Sequence, residues 1–248
     1  MARRTIRLGP LAVDLYEPEG PPRCVLLYSH GFGSHRQGQK VIALGEALVA
    51  HGAAMIAPDL QGHGESEGEF GAITILRSIR DLLRCAELPL FREAPRRMLG
   101  GSSFGALTAL WASVDHPELC ERLFLIAPAF GFIERHVAGY TPEEVERWRA
   151  GELARIERDW FSVDLQNDIL LETEERQVAE LAKRLRHPAL MVHGKCDETV
   201  PWQDVVGFFR DCEAPGLELH LIGDGDHRLT DHLPTLTEQL IRFAGLIA

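Results

Sequence analysis

Apolar residues alternate through Ile6 and Leu8 and again through Leu11, Val13 and Leu15, with Gly9-Pro10 between the two runs. A period of two with turn residues in the gap predicts an antiparallel hairpin at a sheet edge. After the turn-forming stretch 17–22 the pattern changes: Cys24-Val25-Leu26-Leu27-Tyr28 is apolar throughout, as expected of a strand covered on both faces. Val41, Leu44, Leu48 and Val49 then recur at helical spacing within 39–51, Gly52 closes the segment, and 53–57 reads as a second buried strand. Strand, helix and strand in this order imply a right-handed parallel crossover. Ile75, Ile79, Leu82, Leu83 and Ala86 mark the next helix, followed by a strand beginning at Arg97-Met98-Leu99, a helix from Ala106 and a strand over 123–127. The same alternation resumes with a strand over 189–193, a helix over 202–211, a strand over 217–222 and a final helix carrying Leu236, Leu240, Phe243 and Ile247 on one face.

This order predicts an α/β architecture: a mostly parallel, doubly wound sheet with an N-terminal antiparallel hairpin. Residues 1–129 and 188–248 form the expected core. Residues 130–187 break the pattern, being dense in Glu and Arg, with helical spacing over 143–158 and no strand-like apolar run. They read as a helical insertion, either solvated or placed as a lid.

Composition narrows the functional classes. With 248 residues and 45% hydrophobic content the chain can bury a large core. The net charge of -11, with no basic stripe, argues against a nucleic-acid partner. No apolar run reaches the roughly 20 residues of a membrane-spanning helix, and Arg3-Arg4 is not followed by the apolar core of an export signal, so a cytoplasmic protein is expected. The five cysteines lack CxxC or Cys/His ligand spacing, which reads as free thiols and no metal site.

The chemistry centres on Gly101-Ser102-Ser103-Phe104-Gly105 at a strand-to-helix boundary. A nucleophile on so tight a turn needs small neighbours two positions away on each side, and only Ser103 has glycines at both. In a parallel sheet the loops leaving the strand carboxyl ends share one crevice. That crevice also receives His30-Gly31-Phe32-Gly33, the loop of Asp197 and the loop of His227. A serine hydroxyl needs a base, and the base needs an acid to hold its tautomer; His227 and Asp197 fit those roles. Asp224, Asp226 and Asp231 are weaker candidates for the acid. His30 and His63 are weaker for the base, and His63 suits a loop-shaping role. Oxyanion donors are expected from the Phe104 N–H at the helix start and the Phe32 N–H. Phe32, Phe130, Phe132, Trp160, Phe161 and Trp202 are candidates to line a substrate site.

With these motifs assembled, the sequence resembles the serine α/β-hydrolase superfamily. Gly101–Gly105 resembles its elbow, His30–Gly33 its oxyanion loop, and His193-Gly194-Lys195-Cys196-Asp197-Glu198-Thr199-Val200-Pro201 its acid loop. Residues 62–68, Gly-His-Gly-Glu-Ser-Glu-Gly, are similar to bacterial feruloyl and cinnamoyl esterases. Gly101-Ser102-Ser103 with Asp226-His227-Arg228 is equally similar to acyl-protein thioesterases of the ABHD type. The resemblance implies a cofactor-free esterase or thioesterase acting on a small-molecule ester or thioester through an acyl-serine. Dehalogenases and epoxide hydrolases of this fold use an Asp nucleophile, which Ser103 replaces.

Overall fold

A computed structural model describes residues 2–158 and 161–247. The chain opens with strands β1 (Ala2–Leu8) and β2 (Leu11–Glu17), paired antiparallel across a turn in which Gly9 has φ 61°. β3 (Val25–Ser29), α1 (Gln39–Ala50) and β4 (Ala54–Pro58) form the first crossover. α2 (Ile75–Ala86), the short α3 (Pro89–Arg92), β5 (Arg97–Ser102), α4 (Phe104–Asp115) and β6 (Arg122–Ile126) follow. α2 starts where Thr74 accepts the Arg77 N–H at 3.1 Å, satisfying one orphan donor of its first turn.

After the insertion come β9 (Ala189–Gly194), α9 (Trp202–Asp211), β10 (Leu217–Ile222) and α10 (Leu233–Phe243). The insertion itself holds α5 (Phe132–Val137), α6 (Pro142–Arg149), β7 (Ala154–Arg158), β8 (Phe161–Leu165), α7 (Asp168–Glu175) and α8 (Val178–Arg184).

The eight-stranded sheet has the order β1-β2-β4-β3-β5-β6-β9-β10, antiparallel at β1/β2 and β2/β4 and parallel elsewhere. Alternate residues of its strands feed two cores. Val25, Leu27, Leu99, Leu123 and Leu125 face α2, α4 and the insertion, while Leu26, Tyr28, Met98, Phe124 and Ile126 pack with residues of α1 and α10. Burial on both faces explains why the central strands read as unbroken apolar runs.

The insertion departs from expectation. Helical spacing over 143–158 holds only as far as Arg149, where α6 ends, and residues 154–165 include the antiparallel hairpin β7/β8. Ala154, Ile156, Val163 and Leu165 are buried while Arg155, Glu157, Ser162 and Asp164 face outward. The alternation is present in the sequence, but each strand carries only two or three apolar positions of it, too short a run to stand out against the Glu/Arg-rich background. Among the described residues, no helix is long and apolar enough to cross a membrane.

Candidate active site

Ser103 joins β5 to α4 with φ 56° and ψ -118°, an unusual backbone for a residue carrying a Cβ. The turn is held by the Ser103 N–H donating to the Ile126 carbonyl at 2.8 Å. Its tightness dictates its glycines. A Cβ on Gly101 would overlap the Gly105 carbonyl group, and one on Gly105 would overlap the carbonyl oxygens of Ser29 and His30. The neighbouring serine is used differently: Ser102 Oγ accepts a hydrogen bond from Lys40 Nζ at 2.8 Å.

The three strand-end loops meet at Ser103. Its Oγ lies 3.0 Å from His227 Nε2, and His227 Nδ1 lies 2.7 Å from Asp197 Oδ2. The other carboxylate oxygen, Oδ1, accepts the Thr199 and Val200 N–H groups, each at 2.8 Å. His193 Nε2 is a further neighbour, 3.2 Å from Oδ2. Burial alone would raise the Asp197 pKa; hydrogen bonds from His193, His227 and the Val200 amide, with the charge of His227, outweigh it and hold the carboxyl well below the usual carboxylate range. Two of the weaker acid candidates are engaged elsewhere and the third is exposed. Asp226 accepts the Leu229 N–H at 2.6 Å, Asp224 is 3.5 Å from His232 Nε2, and Asp231 is exposed in the turn before α10.

The loop after β3 passes beside this group. Neither the Phe32 nor the Phe104 N–H donates to another group among the described residues, and Phe104 N–H is an orphan donor at a helix N-terminus. The orientation of the Phe32 amide follows from peptide planarity. The Gly31 carbonyl accepts from His30 Nδ1 at 2.8 Å and from the Ser34 N–H at 3.1 Å. In a trans peptide this fixes the opposite direction for the Phe32 N–H. His30 Nε2 accepts the Leu60 N–H at 3.0 Å, and His63 Nε2, from the facing loop, accepts the Gly33 N–H at 3.2 Å. Each imidazole thus ties its own loop to the other, and both must be neutral to accept. Burial enforces that state, lowering His30 to about 4 and His63 to about 3. Behind them the buried Arg36 guanidinium pairs with Asp14 and Asp59, and also with Glu65, closing the two loops together.

The family model for serine aminopeptidase, S33, matches residues 20–160. The chain belongs to this family of α/β-hydrolases. Mouse palmitoyl-protein thioesterase ABHD10, a mitochondrial protein by its name, is 27% identical over 211 residues, covering 83% of this chain and 69% of that protein. Rat monoglyceride lipase is 31% identical over 116 residues, 46% of this chain and 37% of the lipase. Among solved structures, mouse alpha/beta hydrolase domain-containing protein 10 superposes with a TM-score of 0.81 at 20% identity, covering 100% of both chains. Est1E from Butyrivibrio proteoclasticus with ferulic acid bound gives 0.78 at 22% identity over 97% of each chain. The chain is therefore a hydrolase with the α/β-hydrolase fold, as its motifs led us to expect.

In this hydrolase five phenylalanines cluster around the loop that follows β3. The Phe32 ring centroid is 4.8 Å from Phe70, 5.1 Å from Phe132, 5.5 Å from Phe161 and 6.2 Å from Phe104. Phe161, at the start of β8, occupies the space a side chain at Gly33 would take. Of the other residues expected to line a substrate site, Phe130 is 2% exposed and stacked on Phe208 of α9, so it packs the core instead. That follows from its place just after β6, under α9. Trp202 begins α9 with the Lys195 ammonium 5.6 Å from its ring centroid, and Trp160 lies outside the described residues. Sequence reasoning missed Phe70, His193 and Lys40, the last a half-buried lysine whose loss of hydration lowers it to about 8. A single lysine at a helix start carries no sequence sign of being desolvated, and a His four residues before its acid reads only as part of a motif.

Proposed function

We propose that the chain is a serine esterase working through an acyl-Ser103 intermediate. The observation that carries this reading is the continuous line from Ser103 Oγ to His227 at 3.0 Å and from His227 to Asp197 at 2.7 Å. In the proposed cycle His227 Nε2 takes the Ser103 proton as Oγ attacks the carbonyl carbon. Asp197 holds the Nδ1–H tautomer and stabilises the imidazolium. The Phe32 and Phe104 N–H groups receive the negative charge that develops on the carbonyl oxygen. His227 then gives its proton to the leaving alcohol, and the acyl-enzyme is cleared when the same imidazole activates water. The cycle closes on the chain's own groups and water.

The acyl group is assigned to the face made by Phe32, Phe132 and Phe161, and residues 130–187 act as a lid whose hairpin brings Phe161 over the oxyanion loop. Thioester cleavage is the second reading, favoured by the similarity to the palmitoyl-protein thioesterase over 83% of the chain; the same machinery serves it, with a thiol as leaving group. The test is hydrolysis of matched aryl esters and acyl thioesters, acetyl to palmitoyl plus feruloyl, by wild type and Ser103→Ala. Turnover by wild type alone supports the reading, and the preferred leaving group decides between ester and thioester. Equal turnover by both proteins removes Ser103 as nucleophile.

A further inference from the structure

His193, the penultimate residue of β9, is fully buried. Its Nε2 is 2.9 Å from the Val200 carbonyl oxygen and 3.2 Å from Asp197 Oδ2. Both neighbours are acceptors, so Nε2 carries the proton and His193 is the donor. Its other nitrogen, Nδ1, is buried without a hydrogen-bond partner. A buried, unpartnered polar atom is costly, and an apolar side chain of similar volume would avoid that cost. What the imidazole supplies in return is one N–H, directed at the loop that carries the acid.

We infer that His193 is a positioning residue that shares the Asp197 carboxylate with His227, fixing its orientation and taking up part of the negative charge that faces the His227 ring. The inference rests on the assignment of Asp197 as the triad acid. The carboxylate is then surrounded: Oδ1 by the Thr199 and Val200 amides, Oδ2 by the two imidazole N–H groups. A donor on Oδ2 draws off part of the charge that His227 would otherwise feel alone. Removing it leaves that oxygen facing His227 only, which favours the imidazolium over the neutral ring. It also frees the acid loop, since the same N–H holds the Val200 carbonyl.

The other charged groups around this pair are Asp226 and Arg228, which flank His227, and Lys40 from α1, whose ammonium feels Asp197, Asp226 and Arg228. Substitution at 193 leaves all of them in place. Because Lys40 titrates near 8, the informative part of the pH profile is the acid limb.

The experiment compares kcat/KM for an aryl acetate from pH 5 to 7.5 in wild type, His193→Leu and His193→Gln, with Ser103→Ala alongside. The Gln amide places an N–H where Nε2–H stood. His193→Leu is expected to lower kcat by about 10- to 100-fold, by analogy with the loss of outer hydrogen-bond partners at metal sites. KM should change by less than about threefold, and the acid-limb pKa should move up. His193→Gln should recover most of kcat and return the limb toward wild type. A wild-type profile in His193→Leu overturns the inference. So does an equal loss in both variants with the limb unmoved, which marks a purely structural residue. If His193→Leu does not fold, His193→Gln decides: near-wild-type kcat and limb support the inference, and a lost kcat with the limb unmoved sinks it. Activity that survives Ser103→Ala removes the triad assignment itself, whereas activity that dies with Ser103 but ignores residue 193 removes only the role of His193.

Discussion

A carboxylate whose two oxygens are both supplied with N–H donors can do little except hold what it faces, and Asp197 faces His227 Nδ1 at 2.7 Å. In the proposed mechanism its replacement should therefore act through the tautomer rather than through packing. Asp197→Asn keeps shape and volume but can present an N–H to His227 Nδ1, which puts the imidazole proton on Nε2 and leaves no acceptor facing Ser103. We expect kcat to fall by about 10³- to 10⁴-fold, the scale of the same change in a serine-protease triad, with folding stability reduced far less; steady-state kinetics and a thermal melt of the same sample check both. Ser103, Asp197 and His227 could be picked out from the sequence because their chemistry leaves local marks: glycines forced by a tight turn, and polar loops at strand ends that topology must bring together. His193 and Lys40 leave no such mark, since their significance is a distance to a residue on another segment.

At the scale of elements, the sheet was legible because burial on both faces writes continuous apolar runs, and the elbow helix because it follows a forced turn. The insertion was not. β7 and β8 are five residues each and turn their charged side chains outward, so the segment looks helical by composition while forming a hairpin. That hairpin matters to the proposal because it carries Phe161 onto Phe32, Phe70 and Gly33. Phe161→Ala should remove about 1–2 kcal/mol of apolar contact for a bulky acyl group, which corresponds to a roughly 5- to 30-fold higher KM for aryl-acyl esters. Acetyl esters, too small to reach the ring, should keep their kcat within about twofold. Equal effects on both substrates in a kinetic comparison would remove Phe161 from the acyl face.

For the molecule as a whole, two buried neutral imidazoles at the crossing of the loops after β3 and β4 link stability to pH. His30 and His63 stay unprotonated in the fold down to about 4 and about 3, while in the unfolded chain they take up protons near 6.5. The unfolded state therefore binds more protons below about pH 6.5, and folding stability falls as pH drops through that window, by roughly 1.4 kcal/mol per pH unit for each imidazole. Asp197 adds nothing there, because its lowered pKa contributes above the unfolded carboxyl value and is lost only at lower pH. Urea denaturation at pH 7 and pH 5 should show this loss, and His63→Gln, which retains an acceptor for the Gly33 N–H without titrating, should show about half of it. An unchanged loss in the variant would mean that other groups set the acid sensitivity.

Whether Ser103 is a nucleophile activated by His227 is decided by active-site titration with a fluorophosphonate probe followed by peptide mass analysis. A single adduct is expected on the peptide bearing Ser103, absent in Ser103→Ala and formed at least a hundredfold more slowly in His227→Ala. An adduct on another residue, or unchanged labelling of Ser103→Ala, would rule Ser103 out as the nucleophile.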